Sequence, residues 1–343
     1  MDRRRARVEP SLGARVVKRT PLLYDRGADP ALDRPAHVRA GSALVRLDAH
    51  SLAVVQDDAS FVAILEGVGQ PGRPIAVRDV PLPAPDGIRL FDDTRGNKGL
   101  KLDLEASLVV DDGALLVALG SGSTAARERV VLIENPASID PRAEIVEARA
   151  LYAALRANAE LAGSELNVEG AALAGEDILL FQRGNGAPIG GRLPVDATAR
   201  MDQRALVAYL RGLARGPESA PPCPPLRAVT QWDLGAASGT RLTFTDGASA
   251  RGAWIGFVAC AEASPDATHD GPVSGVAIGR LDDRTQVAEL APIHDERGGV
   301  LTDKAEGLLF DDDDPRRAWL VIDKDDPDAP AELLELTLGD GWL

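Results

Sequence analysis

The chain has 343 residues, 45% of them hydrophobic and only 4% aromatic, and carries a formal net charge of -15. There is ample apolar material for a core, while so acidic a protein repels nucleic acid and anionic membranes at long range. The expected partners are therefore a small molecule, a metal ion or another protein, with no nucleic acid and no membrane.

No apolar run is long enough to span a bilayer, and the basic Arg3-Arg4-Arg5 is not followed by a signal-peptide pattern. A cytoplasmic location is the expectation. The two cysteines, Cys223 in a proline cluster and Cys260 in an apolar run, have no metal-ligand spacing and are expected as free thiols.

Residues 1–35 read as an N-terminal arm with short strands near Arg15 to Val17 and Leu22 to Tyr24, one of which is placed to complete a later sheet. A hairpin follows: Ser42 to Leu47, a turn at Asp48-Ala49-His50, then Leu52 to Val55, with further strands at Phe61 to Leu65 and Ile75 to Val77. The next hairpin runs from Lys101 and turns at Asp111-Asp112-Gly113, residue types that tolerate the positive φ of such turns. Its third strand is Arg129 to Ile133. From Pro141 to Leu161 the apolar period becomes helical, with Asp140 as cap.

A third hairpin holds Leu166-Asn167-Val168-Glu169-Gly170, turns at Gly175-Glu176-Asp177 and returns through Ile178 to Arg183. A second helix is expected over 202–213, ended by Gly216-Pro217. The fourth hairpin is Arg241 to Asp246, a turn near Ala250-Arg251-Gly252, and Trp254 to Cys260, with Val273 to Gly279 beside it. The fifth is Lys304 to Ile322, and Leu333 to Leu338 closes the chain.

Three of these hairpins begin with a carboxylate inside an apolar run: Glu105, Glu169 and Glu306. With Ser42 and Asp246 as their counterparts, the spacings are 63, 64, 77 and 60 residues. Common propeller repeats run roughly 40 to 50 residues, and the two helical insertions (141–161 and 202–213) account for the excess. The expectation is an all-β single domain over 1–343, a five-bladed β-propeller with two helical insertions; a six-bladed β-propeller is the alternative.

In a propeller the first strand of each blade lines the central channel. Glu105, Glu169 and Glu306 should then converge at one mouth. The antiparallel second strands bring Asp57, Asp58, Ser121, Ser123, Arg183, Asn185, Glu262, Asp323 and Lys324 to the same end. Converging carboxylates need a cation. Ca2+, which takes six to eight oxygens in flexible geometry, is expected on Glu105, Glu169, Glu306, Ser42 and Asp246, the last with Thr245 as an alternative. The competing reading is an ion-pair network with Lys101, Lys304 and Arg183.

The segments Leu104-Glu105-Ala106, Asn167-Val168-Glu169-Gly170 and Lys304-Ala305-Glu306-Gly307 resemble the hairpins of calcium-dependent apyrases, five-bladed propellers that hold calcium on blade-borne glutamates. They are similar also to the Glu-Gly hairpins of bacterial phytase-like and esterase-like propellers. The whole chain, with Phe181-Gln182-Arg183-Gly184-Asn185 and Asp270-Gly271-Pro272, resembles an uncharacterised family of bacterial β-propeller proteins. The hairpin resemblances imply a bound calcium ion and hydrolysis of a phosphorylated or ester substrate at the channel mouth; the whole-chain resemblance implies no known activity. Arg183, Asn185, Lys101, Lys324 and Asp58 would be its ligand-binding residues, with Arg95 and Lys98 as further phosphate contacts. The non-enzymatic counterpart keeps a structural ion or an ion-pair network, and binds a protein or small ligand through its loops.

Overall fold

The computed structural model describes residues 3–250, 254–266, 269, 271–282 and 284–343. Arg251 and Gly252 of the expected turn, and Asp270 of the resemblance segment, lie outside the described residues.

Among the described residues the strands form antiparallel four-stranded units around a common centre. The first unit is Gly41–Arg46, Ser51–Gln56, Phe61–Glu66 and Ala76–Pro81. The second is Leu104–Val110, Leu115–Gly120, Arg129–Glu134 and Arg142–Glu147. The third is Val168–Ala174, Asp177–Gln182, Asp196–Asp202 and Arg227–Asp233, and the fourth is Thr243–Ser249, Ile255–Glu262, Val273–Asp282 and Val287–His294. The last contains Lys304–Phe310, Arg317–Asp323 and Glu332–Leu338. Its fourth strand comes from the other end of the chain: Ala14–Pro21 pairs antiparallel with Glu332–Leu338.

The first strand of each unit packs against the first strand of the next, and that of the last unit packs against Gly41–Arg46, so the inner strands close a ring. The fold is all-β and propeller-like. Second strands sit between neighbouring sheets and are buried on both faces, which is why they read as unbroken apolar runs. Leu116 and Ala118 enter the core shared with the first sheet, whereas Leu115, Val117 and Leu119 enter the core shared with the third.

Two expected elements shift. Residues 142–147 are not helix: Arg142–Glu147 is the edge strand of the second sheet, paired residue for residue with Arg129–Glu134. Helix α1 begins only at Arg149 (Arg149–Ala157), Ala148 rather than Asp140 precedes it, and a short α2 follows (Ala159–Ala162). Val146 and Ala148 are both buried, so one stretch satisfies a strand and then a helix against the same core. Helix α3 spans Gln203–Arg215, and the Asp202 carboxylate accepts from the Ala205 N–H (2.9 Å) as its cap.

Candidate cation centre

Every inner strand carries a β-bulge near its start, and in each case one residue is skipped by the pairing register. The skipped residues are Ser42, Glu105, Glu169, Thr245 and Glu306. A bulge inserts an unpaired residue and re-aims its side chain. At Ser42, Glu105, Glu169 and Glu306 it turns the residue to the central cavity, and the bulges explain how a carboxylate can sit inside an apolar strand.

The register corrects the assignment of Asp246. The bulge residue of the fourth unit is its neighbour Thr245, and Asp246 occupies the next position, held elsewhere by Ala43, Ala106, Gly170 and Gly307. That position faces the adjacent inner strand at very short range. A Cβ on Gly170 would lie 2.6 Å from the Gly247 nitrogen, and one on Gly307 would lie 2.7 Å from the Leu44 nitrogen. The Asp246 carboxylate is spent on this junction, accepting from the Gly247 N–H (2.7 Å) and, on the next strand, the Leu308 N–H (2.8 Å). It is therefore removed from the set of cation ligands. Ser42 borders the central cavity, but its hydroxyl donates to the Val55 and Leu104 carbonyls.

Glu105, Glu169 and Glu306 do converge: one carboxylate oxygen of each lies within 4.8 Å of the others. They meet inside the ring rather than at its mouth, with exposures of 9%, 5% and 3%. Their surroundings differ. Glu169 accepts from Asn167 Nδ2 (2.6 Å) and from Arg183 Nη1 (3.2 Å). Glu306 Oε1 is buried with no hydrogen-bond partner; its nearest cations are Lys304 Nζ at 3.6 Å and Arg183 Nη1 at 4.0 Å. Glu105 accepts no hydrogen bond and has no ion-pair partner among the described residues. Burial therefore pushes the Glu105 carboxyl well above the usual carboxylate range, and the nearby Asp103, Asp57 and Glu169 push it further. Glu306 rises for the same first reason, against the pull of Lys304.

Around this trio the cations are already engaged. Arg183 reaches Glu262 Oε2 (2.5 Å) and Thr243 Oγ1 (3.2 Å) as well as Glu169. Lys101 Nζ bonds Asp57 and Asp103, and Arg127 Nη1 lies 2.9 Å from the other Asp103 oxygen, which also accepts from Ser121. Although burial opposes it, Lys101 and Arg127 hold Asp103 below its ordinary value. Asn185 accepts from Asn167 Nδ2 (3.1 Å) and borders the cavity.

The other expected ligand residues stand apart. Lys324 pairs with Asp303 (3.2 Å) and Glu332 (2.7 Å), and Arg95 with Asp33 (2.7 Å). Neither borders the central cavity, because each finds a carboxylate closer to its own loop. Asp58 accepts from Arg39 Nη2 (2.5 Å) and lines an outer vestibule, which shares Asp57, Lys101 and Asp323 with the centre.

Sequence reasoning did not single out Asp103, Asn167 or Arg127. Asp103, Asn167 and Lys304 stand two residues before the glutamates at 105, 169 and 306, and all border the same cavity. That spacing was a usable signal; the placement of Arg127, which ends a short 3-10 turn between two strands, had none.

No curated protein matches the sequence. Among solved structures, the glutaminyl cyclase of Myxococcus xanthus is 11% identical, covering 97% of this chain and 100% of that one at a TM-score of 0.41. A protein of unknown function from Bacteroides thetaiotaomicron VPI-5482 is 9% identical, over 93% of this chain and 75% of that one, at 0.43. A mannose phosphorylase from Leishmania mexicana, in complex with phosphate ion, is 13% identical, over 93% and 88%, at 0.41. Likenesses at these scores transfer no chemistry. A family profile does match, over residues 97–327, and by it the chain belongs to the family of unknown function DUF6910.

Proposed function

We propose that the chain is a five-bladed β-propeller that binds one divalent, oxygen-seeking cation, Ca2+ by preference, on Glu105, Glu169 and Glu306. The observation that carries this reading is the convergence of three buried carboxylates of which one, Glu105, has no hydrogen-bond or ion-pair partner among the described residues. A buried charge left uncompensated is strongly destabilising, and a bound cation compensates this one. The three carboxylates of the trio offer only oxygen, which suits Ca2+ better than the softer metals. Mg2+ demands near-ideal octahedral geometry and gives up its waters reluctantly, so it fits a fixed trio less well.

The cavity of about 40 Å³ favours a structural or regulatory ion over an enzyme site. A water needs roughly 10–15 Å³ on the same measure, so an ion and a few waters fit and an organic substrate does not. The hydrolytic version needs Lys101, Arg183 and Lys324 to hold phosphate oxygens, yet each is bonded to carboxylates. The two free cysteines support the cytoplasmic reading.

The test is thermal unfolding and isothermal titration with Ca2+, Mg2+ and chelator. Calcium at a hundred times its dissociation constant should add about 2.7 kcal/mol of stability, and Glu105→Gln should abolish the effect. A wild-type melting temperature indifferent to both calcium and chelator would sink the reading.

A further inference from the structure

Glu105 belongs to two trios at once. Besides the inner one, a Glu105 oxygen lies within 4.8 Å of an oxygen from Asp57 and one from Asp103. What fills the two trios differs. Among the described residues no side-chain cation bonds Glu105, whereas the Lys101 ammonium is set between the two aspartates, 2.7 Å from Asp103 Oδ1 and bonded to Asp57 Oδ2. Lys101 is only 7% exposed, although lysine is almost never buried without such partners.

The ammonium fills this outer position incompletely. With Arg127 engaging only the far oxygen of Asp103, two positive charges face three carboxylates, and the second oxygen of Asp57 is buried with no hydrogen-bond partner. A divalent ion could bind three such oxygens at 2.3–2.6 Å. Its place is also accessible, since Asp57 and Lys101 form walls of both the central cavity and the outer vestibule.

We propose that the centre is built as a two-cation site bridged by Glu105, in which Lys101 is a tethered occupant of the outer position. The inner position is the calcium site proposed above, and this inference rests on that reading. Lys101 then sets the stoichiometry: one exchangeable divalent ion in the wild type, two once its ammonium is removed. The second ion would be Ca2+, on Asp57, Asp103 and Glu105.

The experiment counts bound Ca2+ per chain, by equilibrium dialysis and by native mass spectrometry, in the wild type, Lys101→Met and Lys101→Met/Asp103→Asn. The expected counts are one, two and one. One ion in both wild type and Lys101→Met would overturn the two-cation centre while leaving the inner site standing, as would two in the wild type. None in the wild type would overturn the inner reading instead. If Lys101→Met folds only with calcium present, the count is made on protein refolded in calcium, and two ions still support the proposal. Failure to fold at any calcium concentration overturns it, since the ion would then be unable to replace the ammonium.

Discussion

Ser42 and Thr245, on different sheets, make the same contact. Each hydroxyl, at the bulge of its inner strand, donates to the carbonyl just before the bulge glutamate of the next strand: Ser42 to Leu104 and Thr245 to Ala305, at 2.5 and 2.6 Å. These two positions of the ring are clasps between strands, and the glutamates occupy the rest. Replacing Thr245 by Val keeps the shape and removes the bond, leaving the Ala305 carbonyl only the weaker thiol contact of Cys260 at 3.3 Å. Thr245→Val should cost about 1 kcal/mol in denaturant unfolding and Thr245→Ser much less; equal losses would argue that packing matters and the bond does not.

Arg183 is the shared partner of Glu169 and Glu262, and the side chains of all three are almost fully buried. Removing it strands two carboxylates, so Arg183→Met should lose about 3–5 kcal/mol of stability. Arg183→Lys should recover only part of this, because one ammonium cannot reproduce the forked donors that meet Glu169, Glu262 and Thr243 together. Chemical denaturation of the two variants checks the ordering.

Close approach of the inner strands predicts that Gly170→Ala is disruptive. Its Cβ would meet backbone atoms of Asp246 and Gly247 between 2.6 and 2.9 Å, contacts that no rotamer can relieve. The strands must part. Because Glu169 is adjacent, calcium affinity should fall along with the melting temperature, whereas Ala106 shows that the same position on another strand accepts a methyl group. A variant as stable as the wild type would show that the ring is looser than its geometry implies.

Asp58 gives a pH prediction with a defined sign. Burial, and then the neighbouring Asp57, push its carboxyl up to about 7 against the pull of Arg39. A carboxyl whose folded pKa is raised binds its proton more tightly in the folded state, so its contribution to stability falls as pH rises from about 4 to about 7. In calcium-free protein, Asp58→Asn should flatten the decline in stability over that window by up to one proton. The comparison of slopes is the measurement, since the variant also weakens the Arg39 contact.

Much of the central site was legible because a carboxylate within an apolar strand is costly unless something holds it, and the same cost recurred at Glu105, Glu169 and Glu306. The slip from Thr245 to Asp246 has a simple origin. Glu169-Gly170 and Glu306-Gly307 suggest that an acid precedes glycine, and Asp246-Gly247 imitates them. In a strand, a shift of one residue reverses the face, and only the bulge register shows that Asp246 stands in the glycine column. Burial of the edge strand Arg142–Glu147 is too incomplete for alternation to show, so the helical spacing of Ile145, Ala148 and Leu151 dominated. The cations that neutralise the ring arrive from loops such as those holding Lys101 and Arg127, where no periodicity constrains direction.

The pairing of Ala14–Pro21 with Glu332–Leu338 also fixes the order in which the molecule can be assembled. Among the strand pairings this one joins residues separated by the longest stretch of chain, so it forms against a large loop-closure cost. During synthesis Ala14–Pro21 emerges early and must wait for this partner until Glu332–Leu338 leaves the ribosome. Until the two pair, the last sheet lacks its outer strand and presents Glu332–Leu338 as an exposed edge.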